Sequence, residues 1–453
     1  MKTTQIFLWL TIATFLAISC GKNATEKPLR SVVHPKWSYN KNIYEVNIRQ
    51  YTPEGNFAAF EKHIPRLKEM GVDILWLMPI NPISEKNRKG SLGSYYASKD
   101  YYGINPEFGT LADFKKLVET IHKNNMYVIV DWVANHTGWD NKLIDEHPEW
   151  YTKDSAGNII PPVADWTDVA DLNYDAPGLR KYMVDVLKYW VNECNIDGYR
   201  CDVAGMVPTS FWDSARTELD KIKPVFMLAE WESPELHPNA FDMGYGWEFH
   251  HIMNQIAKGK NNVRDIEAYF AKRDTTYNKD DIAMYFTSNH DENSWNGTEY
   301  ERMGEGAQTF ALLSYMVPGM PLLYSGQEEP LYKKLKFFDK DTIPFSSYRL
   351  AAFYTWLNKL KHQKDALWHG QKGGSMHLLK SANDTAVFCF AREKGNEKIV
   401  VIANLSGKEQ ETKLKGNEWT GMYTNLFDQS EIQLTQNETL TLEAWGYLVL
   451  EKK

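Results

Sequence analysis

From Trp37 onward, short apolar runs rich in β-forming residues alternate with segments whose apolar positions recur every three or four residues. That alternation predicts repeated β/α units around a parallel sheet. Strands are expected at 43–46, 73–79, 127–136, the first half of 195–206, 225–230, a weak 241–243, 282–286 and 320–324. Between them lie helical stripes such as Phe57, Phe60, Ile64, Leu67 and Met70, stopped by Gly71, and Leu111, Phe114, Leu117, Val118 and Ile121 behind a Thr110 cap. A third stripe, Leu179, Met183, Val186 and Trp190, follows Pro177. Eight such units predict a (β/α)8 barrel over 37–365. Residues 136–174 interrupt it without a helical period, an excursion longer than a simple connection requires and therefore expected to be functional. From residue 366 the helices stop. Strand patterns at 385–392, 398–403, 410–415 and 446–451 predict a C-terminal antiparallel β-sandwich domain over 366–453.

The first twenty residues follow a different rule. Lys2 precedes an apolar run from Ile6 to Ile18, then Ser19, Cys20 and Gly21, the layout of an export signal. The run falls short of the ~20 residues that span a bilayer. Small residues before Cys20 resemble a bacterial lipoprotein processing site, so the mature chain is expected to be exported and held by a lipid on Cys20 at a bacterial membrane, at the cell surface or in the periplasm. Residues 21–36 then read as a tether. The other cysteines, Cys194, Cys201 and Cys389, have neither disulfide nor metal spacing and read as core thiols.

A net charge of −8 argues against nucleic acid or an anionic membrane surface as the main partner. Aromatics at 13% suit stacking on sugar rings, although a large core also needs them.

Polar residues gather at the C-terminal ends of the expected strands, the end of a barrel where chemistry is built. They are Asn135 and His136, Arg200 and Asp202, Glu230, and His290 and Asp291. Arg200 and Asp202 share one strand face, and a guanidinium beside Asp202 favours its ionised, nucleophilic form. Glu230, leaving an apolar strand, is then the natural proton donor, the division of labour of a retaining glycosidase. Asp131 has the opposite strand parity to His136 and reads as structural.

The motifs DWVANH ending at His136, GYRCD ending at Asp202, LAE ending at Glu230 and SNHDE containing His290 and Asp291 resemble, in order and on their expected strands, those of the α-amylase family, glycoside hydrolase family 13. The resemblance implies Asp202 as nucleophile, Glu230 as acid/base and Asp291 as transition-state stabiliser, with Tyr96, His136, Arg200 and His290 binding an α-glucan. It makes 136–174 a short domain B. Some members hold calcium through residues matching Asn135 and Asp171, whereas others keep both as hydrogen-bonding groups; no organic cofactor is implied. Gly205 and Met206 replace the lysine and histidine of many members restricted to α-1,4 bonds, and Val203 resembles groups acting on α-1,6 or both linkages. Within the family the alternatives are a cyclodextrin- or pullulan-acting hydrolase and a transglycosylase; outside it, a non-catalytic glucan-binding surface protein.

Overall fold

A computed structural model describes residues 30–436 and 438–453. The expected export signal, Cys20 and residues 21–29 of the tether lie outside the described residues. Among the described residues no helix is long and apolar enough to cross a membrane.

Eight strands close into a barrel: β1 (Ile43–Val46), β2 (Ile74–Leu77), β3 (Tyr127–Trp132), β4 (Gly198–Cys201), β5 (Phe226–Ala229), β6 (Met243–Tyr245), β7 (Ile282–Tyr285) and β8 (Met320–Tyr324). Each pairs in parallel with its sequence neighbours, and β8 closes on β1. Both faces of each strand are buried because alternate residues serve two cores. Ile43, Ile74, Trp76, Ile129 and Leu228 fill the barrel. Tyr44, Leu75, Leu77, Val128 and Met227 face the surrounding helices.

Two expected elements change shape. The stripe from Phe57 to Met70 is buried throughout, yet two helices carry it, Phe57–Glu61 and Ile64–Glu69. Pro65 is the cause: it is tolerated only in a first turn, so the helix restarts just before it. Strand β3 stops at Trp132 instead of continuing to His136, and His136–Gly138 pairs antiparallel with Val169–Asp171. His136 therefore opens the inserted segment. The side-chain alternation that set Asp131 against His136 does not extend across the break.

The C-terminal region is a seven-stranded antiparallel sheet, in the order 414–415, 375–381, 387–394, 397–404, 447–452, 421–425, 431–434, beside a ribbon of 410–412 with 440–442. The single strand expected at 410–415 divides between the two. One face of the sheet, including Phe388, Phe390, Ile399, Val401 and Ala403, belongs to the same buried cluster as Phe310 and Leu357 of the barrel's outer helices. The alternate residues Val387, Cys389, Ala391, Val400 and Ile402 form a core of their own. Cys194, Cys201 and Cys389 are buried free thiols.

Candidate active site

Arg200 organises the C-terminal end of the barrel. It points inward from β4, has no solvent exposure, and lies 5.1 Å from the Trp76 ring. Its Nη1 donates to Asp131 Oδ1 at 2.8 Å and to Asp202 Oδ1 at 2.9 Å. Its Nη2 is 2.8 Å from Glu230 Oε1, an ion pair in which the N–H is not aimed at the oxygen. One guanidinium thus serves three carboxyl groups and brings Asp202 and Glu230 to its two edges. Asp131, which strand parity had set aside, accepts three bonds: from Arg200, from Trp76 Nε1 at 3.1 Å and from Tyr96 Oη at 3.0 Å.

Between the two carboxylates the backbone is strained. Val203 has φ +36° and ψ +47°, a left-handed conformation costly for a β-branched residue. The turn aims the Val203 N–H at Glu230 Oε2, 2.8 Å away, and so ties the end of β5 to the residue after Asp202.

His290 forms the opposite wall. Its Nδ1 lies 2.5 Å from Glu45 Oε1 of β1, and its Nε2 is 2.8 Å from Tyr96 Oη and 3.3 Å from Asp291 Oδ2. The Tyr96 ring stacks near-parallel on the imidazole, with centroids 5.5 Å apart. Burial opposes the imidazolium, but the Asp291 and Glu45 carboxylates outweigh it and raise the pKa to about 9. His136 has no such anion, and burial lowers it to about 4, so it is neutral at physiological pH.

Asp202 and Glu230 are both raised, first by burial; Glu230 pushes Asp202 further up, Asp291 does the same to Glu230, and Arg200 pulls both back. Because Arg200 divides its charge, it does not hold Asp202 alone in the ionised form. In this coupled pair, burial outweighs the pull of the guanidinium on both carboxyl groups.

The groups meet around a cavity of about 470 Å³ lined by Asp202, Glu230, Asp291, Tyr96, His136 and His290. Arg200, expected to touch substrate, lies beneath the cavity with its charge committed to carboxylates. Lys89, Trp166, Asp168, Trp295, Phe337 and Phe338 also line it, and no pattern in the sequence pointed to them. Asn135 and Asp171 do not line it. The Asn135 amide nitrogen faces Asp171 Oδ1 at 3.5 Å and His136 Nδ1 at 3.4 Å, an arrangement of donor toward acceptor. An all-oxygen cation shell requires the amide oxygen there instead, and no group of three or more His, Cys, Asp and Glu side chains placed to hold a metal occurs among the described residues. As oriented, the two residues form a hydrogen-bonded pair and not two oxygen ligands.

Residues 33–160 and 163–344 match the family model described as "Alpha amylase, catalytic domain". The chain belongs to this family. Residues 387–449 match the "Alpha-amylase SusG C-terminal domain". Among solved structures, the noncanonic maltogenic α-amylase AmyB from Thermotoga neapolitana is 31% identical with a TM-score of 0.84, covering 91% of this chain and 98% of that one. An α-amylase from Lactobacillus plantarum is 33% identical with a TM-score of 0.82, covering 91% and 99%. Among curated relatives, the α-amylase MalA of Haloarcula japonica is 25% identical over 390 residues, which cover 83% of this chain and 56% of that protein. The two matches fall on the catalytic barrel and on the C-terminal sheet, while the chain spans little more than half of the length of the Haloarcula japonica relative.

Proposed function

We propose that this protein is a retaining hydrolase of α-1,4-linked glucans such as starch and maltooligosaccharides. The observation that carries the reading is the placement of Asp202 and Glu230 on the two edges of one buried guanidinium at the cavity floor, with Asp291 beside them. In this reading an Asp202 oxygen attacks the anomeric carbon while Glu230 gives its proton to the departing glycosidic oxygen. The C1–O bond breaks as the ester to Asp202 forms. Glu230, now a carboxylate, takes a proton from water, the water oxygen bonds to C1, and Asp202 leaves, so the configuration at C1 is inverted twice. The raised pKa of the buried Glu230 carboxyl suits the proton donor with which this cycle starts. Asp291 and the cationic His290 hold hydroxyls of the distorted sugar, and Tyr96 offers its ring to the sugar face. Asn135 and Asp171 act as a brace where domain B begins.

The sequence of residues 1–20 supports export and a lipid anchor on Cys20 at a bacterial membrane. Incubating the protein with soluble starch tests the catalytic reading: reducing ends should accumulate, and NMR should show the α-anomer first. Glucan binding without release would favour a scaffold, and initial β-anomer would overturn retention. Products longer than a pure maltooligosaccharide substrate would move the reading to glycosyl transfer.

A further inference from the structure

The cavity has one open side and one closed side, and their positions relative to Glu230 carry a consequence for the mode of attack. Glu230 ends β5, so a leaving group protonated by it must lie over the β4 and β5 loops. That side is open: Gly205 is exposed, Met206 is 39% and Trp231 40% exposed, and the Trp231 indole lies so close to Gly205 that any side chain there would strike it. The opposite side is a continuous wall of three joined loops. The loop after β8 meets the loop after β2 through Leu92 N–H to the Phe338 carbonyl at 2.9 Å and through the N–H and hydroxyl of Ser91 to Asp339 Oδ1 at 2.9 and 2.6 Å. Gly90, at φ +62°, permits this approach, because a Cβ there would fall 2.5 Å from Phe338 Cβ. From the same loop Lys89 reaches domain B, its Nζ 2.8 Å from the Asp165 carbonyl oxygen and 3.1 Å from Asp168 Oδ1.

Resting on the hydrolase reading above, we propose that the Lys89–Asp168 bridge straps the glycone end of the cleft shut, so that the protein attacks α-glucans from their non-reducing ends and releases short products. The leaving portion of a chain extends freely over Gly205 and Trp231. The glycone portion meets the wall after a few rings, in a cavity sized for a small ligand. Lys89 and Asp168 would then set specificity without touching the reacting atoms.

The test compares two 4-nitrophenyl maltoheptaosides, one free and one carrying a 4,6-O-ethylidene group on its non-reducing glucose. Wild type should turn over the free substrate about a hundredfold faster than the blocked one. Lys89→Ala and Asp168→Asn should each raise the relative rate on the blocked substrate about tenfold or more and broaden the early products from amylose, whereas Lys89→Arg should keep the wild-type ratio. Equal wild-type rates on both substrates, or an unchanged ratio in Lys89→Ala and Asp168→Asn, would overturn the strap while leaving the hydrolase reading standing. No turnover of either substrate by wild type would overturn the hydrolase reading and the strap with it.

Discussion

His290 Nδ1 and Glu45 Oε1 stand 2.5 Å apart, both buried, although 245 residues separate them in the chain. Strand β1 supplies the carboxylate and the segment after β7 the imidazole, across the top of the barrel. The carboxylate is one of two anions that keep His290 protonated to about pH 9. Since the folded value exceeds the ordinary 6.5, the stability that protonating His290 contributes is fully present below about pH 6.5 and is lost as pH rises through about 9, while Glu45, itself raised by burial, gives up the pair when it protonates in acid. Glu45→Gln should therefore move the alkaline limb of kcat/KM from near 9 toward neutrality. It should also cost about 3 kcal/mol in urea unfolding at pH 7, the low end for breaking a buried pair. An unmoved alkaline limb would remove His290 from the active cycle.

The two central carboxylates should separate by leaving group. Asp202→Asn and Glu230→Gln are each expected to lower kcat on maltooligosaccharides by about 10³-fold or more. With α-maltosyl fluoride, whose leaving group needs little protonation, Glu230→Gln should recover its first step, visible as a burst of fluoride. Asp202→Asn should not, for it lacks the attacking oxygen. Equal recovery in both variants would mean that the roles are wrongly divided.

Loss of activity and gain of stability should coincide at Asp202. Burial raises its pKa well above the usual carboxylate range. A carboxyl so raised binds its proton more tightly when folded, so stability is greatest below its ordinary value of 3.8 and falls as pH rises through the folded value. The neutral amide of Asp202→Asn escapes that penalty. Its melting temperature should exceed that of wild type at pH 7, and the difference should vanish toward pH 4. A destabilised variant at pH 7 would show that Arg200 already holds the site ionised.

Chelation provides a test of the domain B junction. A structural calcium bound well above its dissociation constant would stabilise the folded state by mass action and raise the melting temperature. With the Asn135 amide turned toward Asp171, the expected result is superimposable melting curves in EDTA and in calcium chloride. A clear rise with calcium would mean that these two residues rearrange around the ion.

The sequence pattern revealed the barrel because each strand is apolar on both faces, and it revealed Asp202, Glu230 and Asp291 because polar residues at strand ends stand out against those runs. Glu45 and Asp131 were less visible, but they carried a usable signal. Each lies two residues after an inward isoleucine, Ile43 and Ile129, and so shares its face. Asp131 stays off the cavity lining, as a structural residue should, but its parity with His136 was no guide to that, because the strand ends at Trp132. The wall built by Lys89, Asp168 and Phe338 left no trace in any pattern. Its members come from three loops, and only the closure of the barrel brings those loops together.

One face of the C-terminal sheet shares a buried cluster with the helices around the barrel. A chain cut after residue 365 would bare Phe310, Leu357 and their neighbours to water, and the severed sheet would bare Phe388, Phe390 and Val401 in turn. The molecule should consequently melt in a single transition, and neither half should survive proteolysis alone.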